Sequence, residues 1–352
     1  MTDSQLLRPS SPQAQLVDCL KGVAILMVFA IHSSETVLVP TTVLNLEWYL
    51  ALATNVLSRI CVPWFVIISG FLLLDENKSR SFRDFYSRRL QRLLLPFAFW
   101  VVVYIAWRLT RYPERPTAIG WLNEVVSGPV YYHLWFLYML FGMYLAAPFL
   151  ARMLTVLGDR EVMLFIAIWF VMASLGPWIR WVLKAEIGIP AGIFGSYFGY
   201  FVFGGWIKRK TVCLTTVAWC RRTAFVLLAL TLVLSAWICR RDQDFNQVFL
   251  VYLAPNIVLL SLTSSIWATN GGSFKLLCSL GSVSRLLGTL GRRSFALYAC
   301  HIMVLQLIDG WLPELAFLYP FRFAVVGIAT LAITFAVMEL PARTPYLNRL
   351  TG

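Results

Sequence analysis

The chain has 352 residues, of which 59% are hydrophobic and 13% are charged, and its mean hydropathy is +0.72. These values exclude a water-soluble globular domain and indicate a polytopic membrane protein. The formal net charge of +13 would also suit a nucleic-acid-binding protein. In a membrane protein, however, an excess of lysine and arginine typically faces the cytoplasm and its anionic lipid, so we expect a membrane-lipid partner and no nucleic acid.

Apolar runs long enough to cross a bilayer, about 20 residues each, recur along the whole chain and predict an all-α fold with about ten transmembrane helices. The sixth run is short and the ninth is interrupted. The first run continues past position 32, which favours a retained span over a cleaved signal peptide. The predicted spans are 17–38, 49–74, 93–110, 129–150, 161–183, 194–207, 223–239, 246–267, 294–312 and 321–340.

The distribution of positive charge predicts the orientation of these spans. With the N-terminus in the cytoplasm, 21 of the 30 lysines and arginines fall on the inner side, eight fall outside, and Arg59 lies within a span. This asymmetry favours cytoplasmic N- and C-termini. Because all the loops are short, we predict one membrane domain at 16–342 between cytoplasmic tails at 1–15 and 343–352, with no appended domain.

The first span, "DCLKGVAILMVFAIH", contains two polar residues that share one face of a helix. Eleven residues separate Lys21 from His32, which places His32 within about 20° of the same face and about 16 Å deeper in the membrane. Glu35 follows on that face. Polar groups in hydrocarbon usually face a partner or a water-filled cavity, so we predict that this face lines an interior cleft. A simple hydrogen bond from His32 to a neighbouring helix is the alternative.

A basic cluster, "FYSRRLQRLLLP", lies between the second and third spans. Arg88, Arg89 and Arg92 fall within about a turn of one another on a helix, and the spacing of Arg89 and Arg92 puts both on one face. Guanidinium groups bind phosphate oxygens well, and Lys21 would approach from the same side. A positive-inside anchor is the alternative explanation.

The second span contains "VPWFVIISGFLLL". Pro63 would bend this helix, and the pair Ser69 and Gly70 would permit close helix contact or irregular backbone beside a cavity. Ser69 as a nucleophile beside His32 is a weaker hypothesis, because no glycine-serine elbow surrounds it, and we favour packing or substrate positioning.

Aromatic residues surround His133 in "YYHLWFLYMLF", at the start of the fourth span. Trp135 and the tyrosines suit either an interfacial anchor or a platform that holds a sugar ring. His301, in "SFALYACH", completes a set in which all three histidines of the chain lie in or beside spans. Near the end of the last span, Glu339 is expected to pair with an arginine.

The seven cysteines form no CxxC pair and have no histidine at metal-ligand spacing. We therefore predict structural roles for them and no metal site.

Together and in this order, these motifs resemble the acyltransferase family 3 membrane proteins, a group that includes O-antigen acetylases and the O-acetyltransferase of enterobacterial common antigen. The resemblance spans nearly the whole chain. It rests on Lys21 and His32 as the basic residue-x10-His signature, the second-span pattern, Arg89 and Arg92 as RxxR, the fourth-span aromatic motif and the late "SFALYACH". Lys21 stands where the family usually has arginine, which keeps the charge but loses a bidentate fork.

The resemblance implies about ten helices, an acyl-CoA donor on the cytoplasmic side and an acceptor outside, in a bacterial inner membrane. His32 matches the family's essential histidine, and we expect it to be the general base that takes a proton from a sugar hydroxyl. Glu35 would orient its ring, and Lys21, Arg88, Arg89 and Arg92 would hold the phosphates of acetyl-CoA. Ser69, His133, Trp135 and His301 are the candidate substrate-binding residues.

Two other functions remain open from the sequence. A proton-coupled secondary transporter would also place His, Glu and Arg inside the membrane. An inactive scaffold for a lipid-linked glycan would leave His32 dispensable. The sequence leaves open the acyl group, acetyl or succinyl, as well as the glycan acceptor, direct transfer against an acyl-enzyme, and the oligomeric state.

Overall fold

The computed structural model describes residues 11–40, 45–75, 81–113, 116–184, 196–311, 319–344, 347 and 349–350. Across these ranges the regular elements are helices and none is a strand, which confirms the all-α prediction for this part of the chain. The predicted tail at 1–15 lies mostly outside the described residues, and the first helix already begins within it, at Pro12.

The helices are labelled in chain order. Those of the first half are α1 (Pro12–Leu38), α2 (Leu46–Ser58), α3 (Cys61–Leu73), α4 (Phe82–Arg111), α5 (Ala118–Ser127), α6 (Trp135–Val156), α7 (Asp159–Phe170) and α8 (Gly176–Leu183). A short 3-10 turn, Tyr132–Leu134, precedes α6, and a π-helical turn, Val171–Leu175, joins α7 to α8. Those of the second half are α9 (Phe198–Lys208), α10 (Leu214–Asp242), α11 (Pro255–Asn270), α12 (Gly272–Ser279), α13 (Gly281–Arg292), α14 (Ser294–Trp311) and α15 (Arg322–Ala342).

Eight helical stretches within the described ranges are long and apolar enough to cross a membrane. They correspond to eight of the ten predicted spans. The sixth and eighth predicted spans contain α9, with 11 residues, and α11, with 16 residues. At 1.5 Å per residue these reach only about 17 and 24 Å, less than the hydrocarbon thickness of about 30 Å. The ninth span, predicted to be interrupted, is the continuous helix α14.

The second span is broken between α2 and α3, at Arg59 and Ile60. Pro63 explains the position of the break, because proline has no N–H to donate to the carbonyl four residues earlier, that of Arg59. The next amide resumes the helical pattern, since Trp64 donates to the Ile60 carbonyl at 2.9 Å. The predicted bend at Pro63 therefore places Arg59 at a helix junction.

The helices differ in how deeply they are enclosed. In the most apolar part of the α2–α3 span 72% of the residues are buried, against 56% for α14 and 50% for α1. The corresponding share is 28% for α4, for the α7–α8 stretch and for α10. His32, Ser69 and His301 lie on the enclosed helices α1, α3 and α14, and Arg59 lies between α2 and α3. The polar residues are therefore at the centre of the bundle.

Glycines allow the central helices to pack with backbones in contact. A Cβ on Gly70 of α3 would collide with the Phe201 carbonyl of α9, and one on Gly204 of α9 would collide with the Ile67 carbonyl of α3. Small residues at a crossing are the usual means by which membrane helices approach closely. The close contact predicted for the Ser69–Gly70 pair is therefore present at Gly70.

A second glycine crossing joins α1 to α13. A Cβ on Gly22 would collide with the backbone of Leu287, and one on Gly291 would collide with the Asp18 carbonyl. Since Gly22 follows Lys21, this crossing fixes the height of Lys21 within the bundle.

Candidate active site

His32 and Glu35 lie on one face of α1 and are in contact. His32 Nδ1 is 3.2 Å from Glu35 Oε2. A carboxylate on one imidazole nitrogen fixes the orientation and tautomer of the ring and leaves the other nitrogen, Nε2, free to act as a base. Both side chains are half-buried. They lie nearer the C-terminal end of α1 than its beginning.

Arg59 holds the other oxygen of the same carboxylate. Its Nη2 is 3.2 Å from Glu35 Oε1 and 3.4 Å from Gln247 Oε1, and its Nε donates to Asn55 Oδ1 at 2.7 Å. The guanidinium also lies 5.8 Å from the centroid of the Tyr252 ring. Arg59 is only 4% exposed. A charge this deeply buried in a membrane protein requires a counter-charge and filled hydrogen bonds, and these partners supply both.

The three histidines come together from three separate helical segments. The His301 ring lies 5.1 Å from that of His32 and 5.4 Å from that of His133, measured between centroids. His301 and His133 are both buried. His301 Nδ1 lies 2.5 Å from the Tyr298 carbonyl oxygen, and the Tyr298 hydroxyl donates to the His133 carbonyl. The structure therefore brings all three predicted histidines to one place.

Several nitrogens of this cluster are poorly paired among the described residues. Nε2 of His301 has no hydrogen-bond partner, and the ring nitrogens of His133 make no well-aligned hydrogen bond, although the Ala299 backbone interacts with this ring. Buried polar atoms in proteins are nearly always hydrogen-bonded, so such atoms mark a place where water or a ligand completes the pairing. Their position beside His32 makes them candidates to contact a substrate.

His32 and His133 line a small cavity of about 50 Å³, here called the histidine cavity. Its other lining residues are apolar or aromatic, apart from a thiol: Val28, Ile31, Cys61, Val62, Tyr132, Trp135, Phe136, Tyr252 and Tyr298. A water molecule has a share of liquid volume of about 30 Å³, so this cavity accepts only a small group.

A second cavity of about 230 Å³, here called the lysine cavity, lies next to it. Lys21 and Ser69 both line the lysine cavity, together with Tyr144 and Ser294. Phe136 and Tyr298 line both cavities and so form a common wall. Ser69 thus lies with Lys21 and not in the histidine cavity, and its hydroxyl donates to the Phe65 carbonyl of its own helix at 2.8 Å.

The surroundings of Lys21 include an acidic and a basic side chain. Asp18, one turn earlier on α1, interacts electrostatically with Lys21. The same carboxylate lies 3.8 Å from Arg292 at the end of α13. The predicted basic cluster is on the first turns of α4, where Arg92 is exposed. The side chains of Arg88 and Arg89 lie outside the described residues, so their approach to Lys21 remains a prediction.

Trp135 is part of an aromatic group around the histidine cavity. Its ring stacks on that of Tyr252 with centroids 6.0 Å apart and lies 5.6 Å from that of Tyr197. The Tyr132 ring meets His32 edge-on at 5.9 Å. These rings form the aromatic lining of the small histidine cavity, and contact of Trp135 with a sugar ring stays a prediction.

The expected partner of Glu339 is present. Arg293, between α13 and α14, pairs with the Glu339 carboxylate near the end of α15. This pair lies apart from the histidines and ties the last helix to α14.

Sequence reasoning missed several residues of this site, among them Arg59, Asn55, Tyr252 and Tyr298. For Arg59 a signal existed, because an arginine inside an apolar span requires a carboxylate partner and Glu35 is on the preceding span. Asn55, one turn before Arg59, carried the same signal. Tyr252 and Tyr298 gave none, because one aromatic residue among many in a membrane chain has no distinctive pattern.

A protein-family model described as an acyltransferase domain matches residues 15–339. The chain belongs to the acyltransferase 3 family. No curated protein and no solved structure matches it. The match covers all the elements from α1 nearly to the end of α15, including the three histidines. This family member is therefore a multi-pass membrane acyltransferase, and the site around His32 is the place where its chemistry has to be sought.

Proposed function

We propose that this protein is a membrane O-acyltransferase that moves an acetyl group from cytoplasmic acetyl-CoA to a hydroxyl of a cell-surface glycan or its lipid-linked precursor. One observation carries the proposal: His32, whose ring is paired with Glu35, lines a small cavity that shares the wall of Phe136 and Tyr298 with the cavity of Lys21. Membership of the acyltransferase family supplies the reaction type. The resemblance to glycan O-acetyltransferases supports the acceptor class.

The proposed reaction uses His32 twice. Its free Nε2 takes the proton of the acceptor hydroxyl as the oxygen attacks the thioester carbonyl. The tetrahedral intermediate then expels the CoA sulfur, and the imidazolium returns the proton to it. Glu35 keeps the ring oriented and stabilises the imidazolium between the two steps.

The ring nitrogens of His133 and Nε2 of His301, together with Trp135, are proposed to hold the acceptor and the reacting oxygen. Lys21 and Ser69 would contact the donor in the lysine cavity, and Arg88, Arg89 and Arg92 would bind its phosphates. The wall of Phe136 and Tyr298 is the place where the pantetheine arm would pass. This arrangement needs no metal ion.

The size of the histidine cavity supports acetyl over succinyl. Its volume of about 50 Å³ suits a two-carbon acyl group. A succinyl group would add a carboxylate, and no lysine or arginine is among the described residues that line this cavity. Burying an unpaired carboxylate would be costly.

We further propose that the protein lies in a bacterial inner membrane with both termini in the cytoplasm. The excess of lysine and arginine on one side of the predicted spans supports this orientation. It places the lysine cavity toward the cytoplasmic donor and the histidine cavity toward an external acceptor.

The test is transfer of radiolabelled acetyl from acetyl-CoA to cell-envelope glycan in membranes that contain wild type or His32→Gln. Ser33→Ala is the matched control, because Ser33 is adjacent on α1 and its hydroxyl donates to the Ala30 carbonyl of the same helix. We expect label with wild type and Ser33→Ala and none with His32→Gln at equal amounts of inserted protein. Equal label with His32→Gln would overturn the base assignment, and no label with wild type would overturn the acetyl-CoA reaction.

A further inference from the structure

Arg59 is the most enclosed charged side chain near the reacting histidine, and the proposed reaction gives it no step. It lies at the junction of α2 and α3, where Pro63 interrupts the helical hydrogen bonds. Its contact with Glu35 is on the carboxylate oxygen opposite the one that meets His32. The three side chains thus form one chain of contacts, from His32 through Glu35 to Arg59.

The guanidinium is itself held from two further directions. Asn55 accepts from its Nε, and Gln247, between α10 and α11, accepts from its Nη2. Asn55 in turn donates to the Ser34 hydroxyl of α1 at 2.9 Å. Since a guanidinium donates in a fixed planar pattern, partners on both sides define its position. Arg59 is therefore a rigid support for Glu35.

We propose that Arg59 is a positioning residue of the acyl transfer, fixing Glu35 so that it accepts from His32 Nδ1–H and leaves Nε2 facing the histidine cavity. This inference rests on the proposed function, in which His32 is the base. Without Arg59 the Glu35 carboxylate would lose its counter-charge and the guanidinium contact on Oε1, and would keep the contact with the neutral Asn55 amide. It would then rotate or draw in water, and the His32 ring would lose its defined tautomer.

Arg59 would act through Glu35 and not on substrate. Among the described residues that line the histidine cavity, Arg59 is absent while His32 and Tyr252 are present. A misplacement of a catalytic group by about 1 Å costs roughly 100-fold in rate, so removal of the support is expected to lower kcat far more than it raises KM.

The test uses Arg59→Met, Arg59→Lys, Glu35→Gln and the double variant Arg59→Met/Glu35→Gln. Arg241→Met is the control, because Arg241 forms an exposed pair with the neighbouring Asp242. We expect Arg59→Met to lower kcat about 10- to 100-fold and the control to leave it unchanged. The double variant should be no slower than Glu35→Gln alone, since both changes disable one unit. Multiplied losses would overturn the inference and point to direct contact of Arg59 with substrate.

A second measurement distinguishes a positioning role of Arg59 from a purely structural one, and it does not depend on which substrates the enzyme uses. The chain has three histidines, so the ring nitrogens of 15N-histidine-labelled protein can be assigned to His32 by their loss in His32→Gln. We expect wild type to give the Nδ1–H tautomer at His32 and Arg59→Met to give a mixture of tautomers. An unchanged His32 spectrum would overturn the inference, even if acetyl transfer itself were absent.

Arg59→Lys keeps the proposal testable if Arg59→Met fails to insert. Lysine retains the charge but cannot reproduce the planar pattern of donors. We expect it to insert normally, with kcat between those of wild type and Glu35→Gln and with a partly mixed tautomer. Wild-type values in both measurements would show that charge alone suffices and would overturn the positioning role.

Discussion

The histidine cavity and the lysine cavity share a wall but hold their charged groups in different ways. At the histidine cavity, His32 is held by Glu35, and Glu35 is held by an arginine that is almost fully buried. Beside the lysine cavity, Asp18 meets an Arg292 side chain that is 57% exposed, at the longer distance of 3.8 Å. Rigid support favours a site that must place reacting atoms, whereas exposed and more loosely paired charges would suffice to bind the proposed phosphate-bearing donor.

The largest effect is expected at His32. His32→Gln should lower kcat about 100- to 10,000-fold, the usual contribution of a general base, with little change in KM for acetyl-CoA. Initial rates of acetyl transfer in purified membranes, corrected for inserted protein, measure this. A rise in KM at unchanged kcat would contradict the assignment of chemistry to the histidine cavity, because it would show that His32 binds the donor.

The next effect concerns the glycine contact between α3 and α9, beside Ser69 of the lysine cavity. Gly70→Val should destabilise the protein by about 1–3 kcal/mol, because the added side chain meets the Phe201 carbonyl of a packed helix. Thermal unfolding in detergent measures the change. Gly142→Val on α6 is the matched control, since a Cβ there would have no neighbour within 4 Å. Equal melting temperatures for the two variants would contradict the close contact.

A smaller and different kinetic effect is expected at Lys21. Lys21→Met should raise KM for acetyl-CoA about tenfold, equivalent to about 1.4 kcal/mol, while kcat stays near wild type. Lys21→Arg, which restores the residue usual in the family, should keep KM at or below the wild-type value. A loss confined to kcat in Lys21→Met would show that the lysine cavity takes part in chemistry, and the contrast between the two cavities would fail.

The smallest effect tests the orientation of the protein in the membrane, on which the difference between the two cavities depends. Cys213 is exposed between α9 and α10, and hydrogen bonds from Thr215 and Thr216 lower the pKa of its thiol to about 7. The reactive thiolate therefore forms as pH rises through about 7, so its alkylation rate should climb over that range and level off above it. Cys213→Ser should leave transfer unchanged.

Membrane-impermeant maleimide is the probe for this prediction. If α9 and α10 meet on the cytoplasmic side, as the proposed orientation requires, the reagent should label Cys213 in inside-out vesicles and leave it unlabelled in intact spheroplasts. Cys213→Ser is the negative control. Labelling only in spheroplasts would invert the topology and place the lysine cavity outside.

Ten long helices were predicted and the described part of the chain contains eight, and the difference has a simple physical cause. The runs at 194–207 and 246–267 are apolar enough to cross a membrane, but α9 packs its backbone against α3 and α11 starts only at Pro255. Hydropathy measures the preference of a segment for an apolar environment, which a protein core provides as well as lipid does. Helix length within such a segment depends on neighbouring helices.

The sequence by itself determined the membrane-helix architecture, the family resemblance and the shared face of Lys21, His32 and Glu35, because hydrophobicity and helical spacing are local properties. Only the tertiary structure decided that Arg59 completes the Glu35 pair, that His133 and His301 join His32, and that Phe136 and Tyr298 separate two cavities. These contacts join residues up to about 270 positions apart, whose meeting depends on how helices cross. The local periodicity of the sequence does not determine where the helices cross.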